Sequence, residues 1–422
     1  MKKFGTLYRF ELKKLVARPY VLLLLLVMVG VTLFLNVKPL LAQEEVAYVE
    51  EDGTLVFDTV SRYEAIQLER RFAREDAGTL LDNEAALEMR EMNEYYQDVS
   101  NRPFTFILLN HFLVEDGISV TMLNPLWDGT DRMADTAYKA IETWQKDEYQ
   151  SQRLTQEEIE YWEAERARIH TPYTLDYAKG YSGILKLAFW LNLMVLPFVF
   201  VCLCGSFSDD HVYKTWPILT SSKYGRKSLA LARLAAGETL AGGTILTLFA
   251  ITAAIQFVVH GAQGANTPIQ LLKLESLFMG YSDIWLRDSS RAMTAGQGVL
   301  VTVGMSLLIL LFAGALAMLL SKLFRRAIPA LALPLGVLLG TLLVEDPFFY
   351  FHNLYGRMGP QIWSYFPIHR MSGEFLLDER LISLGGIQLE SITASVCLYG
   401  LLAVLCLALC FWLYHIHTVE KE

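Results

Sequence analysis

Val21-Leu-Leu-Leu-Leu-Leu-Val-Met-Val-Gly-Val-Thr-Leu-Phe-Leu35 carries no charge and a single hydroxyl. A helix through it satisfies its own backbone groups, which is what hydrocarbon demands. Five further blocks share this character: Leu185 to Cys204, Leu240 to Val259, Val299 to Leu320, Ala327 to Val344 and Ile392 to Trp412. Their lengths match the ~20 residues a helix needs to cross about 30 Å of bilayer core. Of the 422 residues 53% are hydrophobic and 19% charged, greasier and less charged than an ordinary globular domain. The expectation is an all-α integral membrane protein with six transmembrane helices, and soluble-enzyme chemistry is excluded.

Charge orients the spans. Lys2, Lys3, Arg9, Lys13, Lys14 and Arg18 precede the first block, interleaved with Phe4, Leu7, Tyr8, Phe10, Leu12, Leu15 and Val16. Residues 1–19 therefore read either as an interfacial helix turning inward at Pro19 or as the basic flank of a signal anchor. The apolar run outlasts the usual signal-peptide core and Leu40-Leu41-Ala42 is a poor cleavage site, so the segment is expected to be retained with its N-terminus in the cytosol. Six crossings then place 206–228, 321–326 and the tail 415–422 inside, together with Lys214, Lys223, Arg226, Lys227, Lys322, Arg325 and Arg326, as the positive-inside rule asks. The expected location is the plasma membrane, multi-pass, with both termini cytoplasmic. The net charge of −9 averages two unlike sides, because Gln43 to Leu185 holds about 30 acidic against about 13 basic residues and reads as an outward-facing segment.

The organisation expected along the chain is helix 1 at 20–42, an extracytoplasmic helical domain at 43–184, helix 2 at 185–205, a cytoplasmic loop at 206–228, and helix 3 at 229–260. An outer loop at 261–295, helix 4 at 296–320, the short loop 321–326, helix 5 at 327–344, outer interfacial helices at 345–390 and helix 6 at 391–414 follow. Within the outer domain, apolar positions from Asp58 to Gln97 suggest amphipathic helices broken near Gly78. Thr155 with Glu158 is a capping box for a helix running to Ile169, stopped by Pro172. Phe104 to Leu113 is too short to span and reads as bundle core or outer-face contact. The stretch 345–390 is rich in aromatics, including Phe348 to Phe351 and Trp363 to Pro367, which favours short interfacial helices or an aromatic-belted loop. Cys202, Cys204, Cys397, Cys406 and Cys410 all lie in apolar blocks, so no disulfide framework is implied, and Cys202-x-Cys204 lacks the second ligand pair zinc needs.

The second inside segment reads Phe207-Ser-Asp-Asp-His-Val-Tyr-Lys-Thr-Trp-Pro-Ile-Leu-Thr-Ser-Ser-Lys-Tyr-Gly-Arg-Lys227 and enters the next span through Leu229-Ala-Leu-Ala-Arg-Leu-Ala-Ala. An acidic patch, a Lys-Thr step, an apolar-Ser-Ser-basic stretch and a Gly-Arg-Lys turn ahead of a long helix resemble the permease subunits of ABC-2-type exporters. The basic N-terminus, the large outer domain and His170-Thr-Pro-Tyr-Thr-Leu-Asp-Tyr177 fit the same resemblance. It implies that the loop is a coupling element seated on a separate cytosolic ABC ATPase, which binds ATP and Mg; no cofactor is expected in this chain. It also implies a second permease, as homodimer or related subunit, and a hydrophobic or amphipathic cargo such as a lipid, peptide or drug.

The residues carry their own logic. Tyr213, Trp216, Ile218 and Leu219 are apolar anchors of the type that dominate interfaces. Asp209, Asp210, Lys214, Lys223, Arg226 and Lys227 are charges able to fix register, or else the ordinary charge of an inside loop. No G-x-x-x-x-G-K-[ST] occurs, so nucleotide hydrolysis falls to another chain. Partners are the ATPase, a second permease and the bilayer; no nucleic-acid partner is expected. Arg233 and Glu238, at the inner end of the third span, are the intramembrane charge candidates, pairing with each other or the first helix, or lying in the headgroup layer. No catalytic or metal spacing appears among the histidines. An alternative function is a membrane sensor or scaffold whose acidic outer domain binds a ligand.

Overall fold

The computed structural model describes residues 2–49, 55–75, 77–85, 133–221, 227–274, 284–324, 326–343, 358–384 and 387–419. The described chain is mostly helical. Among the described residues five helices are long and apolar enough to cross a membrane, which marks a membrane-embedded, multi-pass protein. Helix α1 (Lys2–Val16) stops where Arg18 turns extended, and α2 (Pro19–Val37) begins with proline in its first turn, where the missing N–H has no partner to lose. Helices α3 (Arg62–Glu75), α4 (Met133–Ser151) and α5 (Gln156–Arg166) precede the long α6 (Lys179–Leu203). Short helices α7 (Ser208–Val212) and α8 (Trp216–Ser221) lead into α9 (Lys227–His260). Helices α10 (Ala295–Phe324), α11 (Ala327–Leu343), α12 (Met358–Ser364) and α13 (Ser391–Val419) follow. At 17 residues, or ~26 Å, α11 falls short of the other five apolar helices.

The all-α expectation is corrected by three two-stranded hairpins. The largest pairs β1 (Gln43–Val49) with β2 (Leu55–Ser61) antiparallel, from Gln43↔Ser61 to Val49↔Leu55. Its strands are rich in β-branched and aromatic residues, and the Asp52-Gly53 dipeptide between them in the sequence is a hairpin signal. The amphipathic stretch expected from Asp58 therefore opens as strand, and helix begins at Arg62 and runs to Glu75. Gly78 then adopts φ +91°, the conformation glycine tolerates best. Smaller hairpins join β3 (Lys273–Leu274) to β4 (Ile284–Trp285) and β5 (Ile382–Leu384) to β6 (Ile387–Leu389). The Thr155 capping box is present, with the Glu158 carboxylate accepting from the Thr155 N–H at 2.7 Å. Its helix ends at Arg166, three residues before the expected Ile169. Phe104 to Leu113 and Phe348 to Phe351 lie outside the described residues.

Helix α6 packs against α9 and α10, α10 against α13, and α1 lies along α9. Leu191, Val195, Val199, Ile245, Ile309 and Leu310 are buried at the centre. Between helices in lipid, close packing and polar contacts supply the cohesion. Gly237 meets Met318 and Leu203, where a Cβ would sit 2.6 Å from the Met318 sulfur. Asn192 donates to Ser306 Oγ at 2.7 Å and to the Met371 carbonyl at 3.0 Å, stitching α6 to α10 and to the segment after α12. Gln256 donates to Asn36 Oδ1 at 3.0 Å, tying α9 to α2.

At the end of the bundle where α13 begins, α4 and α5 are sewn to residues 286–291 and 376–391. The buried Arg291 donates to Glu390 Oε2 at 2.6 Å and to the Asp378 carbonyl at 2.7 Å, and its guanidinium lies 4.6 Å from the centre of the Trp162 ring. Trp162, fully buried, donates to the Glu379 carbonyl. Burial pushes the Glu379 carboxyl up to about 7, against the opposing pull of the Ser290 N–H and Arg291. A carboxyl raised in the folded state stabilises it at low pH and loses that contribution as pH rises through about 7. Limited proteolysis of α4 and α5 should therefore be faster at about pH 8 than at about pH 6. Glu379→Gln, which keeps an acceptor for Ser290, should flatten that difference.

Candidate docking loop and the ion-paired joint beneath it

The loop between α6 and α9 is fastened at its root by backbone donors. The N–H groups of Phe207 and Ser208 both donate to Ser321 Oγ of α10 at 3.0 Å, and Ser208 Oγ donates to the Cys204 carbonyl at 3.1 Å. Helix α7 then opens with Asp209 and Asp210 in its first turn, and these two carboxylates face different partners. Asp209 accepts from Arg18 at 3.1 Å, and Arg18 also donates to the Tyr20 hydroxyl at 2.8 Å. Asp210 is buried and receives two donors of Arg233, Nη1 to Oδ2 and Nη2 to Oδ1, the latter at 3.2 Å.

Arg233 is the centre of this joint. Its Nε donates to Glu11 Oε2 of α1 at 3.2 Å and its Nη1 also reaches the Ser206 carbonyl at 3.3 Å. Its guanidinium lies 5.7 Å from the Phe207 ring centre, and that ring meets Tyr414 of α13 edge-on at 5.7 Å. Only 4% of Arg233 is exposed. A planar fork with donors in fixed directions can serve a bidentate carboxylate and two further acceptors together, which an ammonium cannot. One side chain thus joins α1, the loop, α9 and, through Phe207, α13.

The anticipated residues are accordingly divided. Arg233 and Glu238 do not pair: Arg233, a buried charge, contacts the first helix through Glu11. Positions five apart on a helix point in different directions, whereas i and i+4 align. Asp210 is turned inward rather than standing as loop charge, and Asp209 is committed to Arg18. Above this root Tyr213 is 74% and Ile218 71% exposed, with Val212 beside them and Lys214 and Lys227 also exposed. Lys214 adopts φ +58°, the left-handed conformation that reverses the chain between α7 and α8. Trp216 opens α8 ahead of Pro217, a position where proline's missing N–H is harmless. Lys223 and Arg226 lie outside the described residues. Glu238 sits farther along α9, both carboxyl oxygens buried without a hydrogen-bond partner among the described residues.

Glu11, Ser321, Phe207 and Tyr414 were not singled out by the sequence reading. Glu11 had a signal, being the lone acid among the basic residues of the first 19; an isolated acid in such a run points to a dedicated cation. Comparison of the chain with protein-family models finds no match, and a search of the curated proteins finds none either.

Arg233→Ala would leave Asp210 and Glu11 buried without their cation, a loss of about 3–5 kcal/mol. Thermal unfolding in detergent should show it, with faster proteolysis of the 206–226 loop. Arg233→Lys should fall between, since it keeps the charge and loses the fork.

Proposed function

We propose that this chain is the membrane-spanning permease subunit of an ABC-type exporter, and that the loop from Ser206 to Lys227 is where a cytosolic ATPase engages it. The observation that carries this reading is the combination of exposed Val212, Tyr213 and Ile218 with a root held to α1, α9 and α10. A docking element must offer apolar anchors to its partner and must pass force to the spans without yielding. The resemblance of residues 207–236 to exporter permeases and the lack of a phosphate-binding motif in the sequence support the same reading. ATP and Mg would then belong to the ATPase, not to this chain.

In this reading α11 is a fifth crossing among six, both termini are cytosolic, and the hairpin β1–β2 with α3 to α5 faces outward. A second permease, identical or related, completes the pathway, since one six-helix half supplies only one wall. The cargo is hydrophobic or amphipathic: a lipid, peptide or drug. Closure of two ATPases would press on α7 and α8, and the Arg233 joint would deliver the push to α9 and α1.

Tyr213→Ala with Ile218→Ala removes exposed anchors without touching the root. The double variant should insert and melt like the parent yet lose co-purification with its ATPase at least tenfold; unchanged recovery would reject this placement of the contact. Topology is checked separately with single cysteines. A membrane-impermeant thiol reagent applied to intact cells should label one placed at Glu142 and spare one placed at Lys223, and the opposite pattern would overturn the orientation.

A further inference from the structure

Glu238 is the one acidic side chain within α9, five residues or about 7.5 Å beyond Arg233. Both of its oxygens are buried with no hydrogen-bond partner among the described residues. Directly opposite is Gly314 of α10, where a Cβ would lie 3.3 Å from Oε1 and 3.5 Å from Oε2. The carboxyl therefore lies against the notch that the glycine leaves, where even a methyl group would be tight against Oε1.

Among the described residues the surrounding elements bring it no counter-charge. From α1, Tyr8 donates its hydroxyl to Thr239 at 3.0 Å and Glu11 is held by Arg233. Three donor nitrogens of Arg233 are directed at Glu11, Asp210 and Ser206. On α10, Lys322 lies 5.1 Å from the centre of the Tyr414 ring, two turns beyond Gly314. From α13 the Cys406 thiol is within electrostatic range; His415 stands at the far end of that helix. A buried carboxylate that lacks both a cation and hydrogen-bond donors is heavily penalised, and neutralising the group removes the penalty.

We propose that Glu238 is a proton-binding site inside the bundle, occupied by a proton while α9 is packed against α10 at Gly314. Release of the proton requires water at the carboxyl, so it is tied to separation of α9 from α10. This needs only that α9 lies in the bilayer and stands or falls apart from the exporter reading.

The test is carbodiimide labelling of the full-length protein in phosphatidylcholine vesicles at neutral pH. A protonated acid adds through oxygen to the central carbon of dicyclohexylcarbodiimide, its proton passing to one nitrogen, and the adduct rearranges to a stable N-acylurea with no leaving group. Peptide mass analysis should find that adduct on Glu238, absent in Glu238→Gln, and a water-soluble carbodiimide should leave Glu238 untouched. Because glutamine reproduces a neutral acid in shape and charge, Glu238→Gln should melt at the parent temperature. Absence of the adduct, equal labelling by the water-soluble reagent, or a clear drop in melting temperature for Glu238→Gln would each overturn the proposal.

Discussion

A guanidinium that keeps its charge under all ordinary conditions and is buried has to be enclosed by acceptors, and the fold around Arg233 is organised by that requirement. Glu11 comes from the first helix, Asp210 from α7, and the Ser206 carbonyl from the turn between α6 and α7. None of these can drift away without stranding a charge. Helix α1, amphipathic and short, is fixed along α9 not by its apolar side alone but by a carboxylate with one geometric solution. The loop is fixed in the same way, which is why its outer surface can be apolar and exposed while its root stays rigid.

The opposite end of the bundle uses the same device with a different cast. Arg291 reaches Glu390, two carbonyls and the face of Trp162, and Arg370 with Arg380 encloses the Asp378 carboxylate and holds it below the usual range. Between the two ends the cohesion is of another kind, made of glycine approaches such as Gly237 and single amides such as Asn192. Charge is thus concentrated at the margins and kept out of the middle, where hydrocarbon would tax it most. Glu238 breaks this rule, which is what draws notice to it.

How much of this the chain discloses on reading follows the physics of each element. The long apolar helices were legible because a lipid-length run has few other fates, and the Thr155 capping box because its signal is local. The hairpin β1–β2 was passed over since the charges of Gln43 to Val49 obscure the strand alternation, although Asp52-Gly53 between two β-rich runs offered a clue. The Arg233 joint was half visible. Arg233 and Asp210 were both noted, but their meeting depends on α6 and α9 being neighbours, which no spacing along the chain encodes.

Helix α9 runs for 34 residues, ~51 Å of continuous rod, and it is gripped near both extremities, by Glu11 and Asp210 at Arg233 and by Asn36 at Gln256. Such a rod multiplies rotation into travel: a tilt of about ten degrees sweeps one tip ~9 Å relative to the other. Any disturbance that leans α9 at one membrane face is therefore felt as a displacement, not a tremor, at the other, with α1 and α2 carried along.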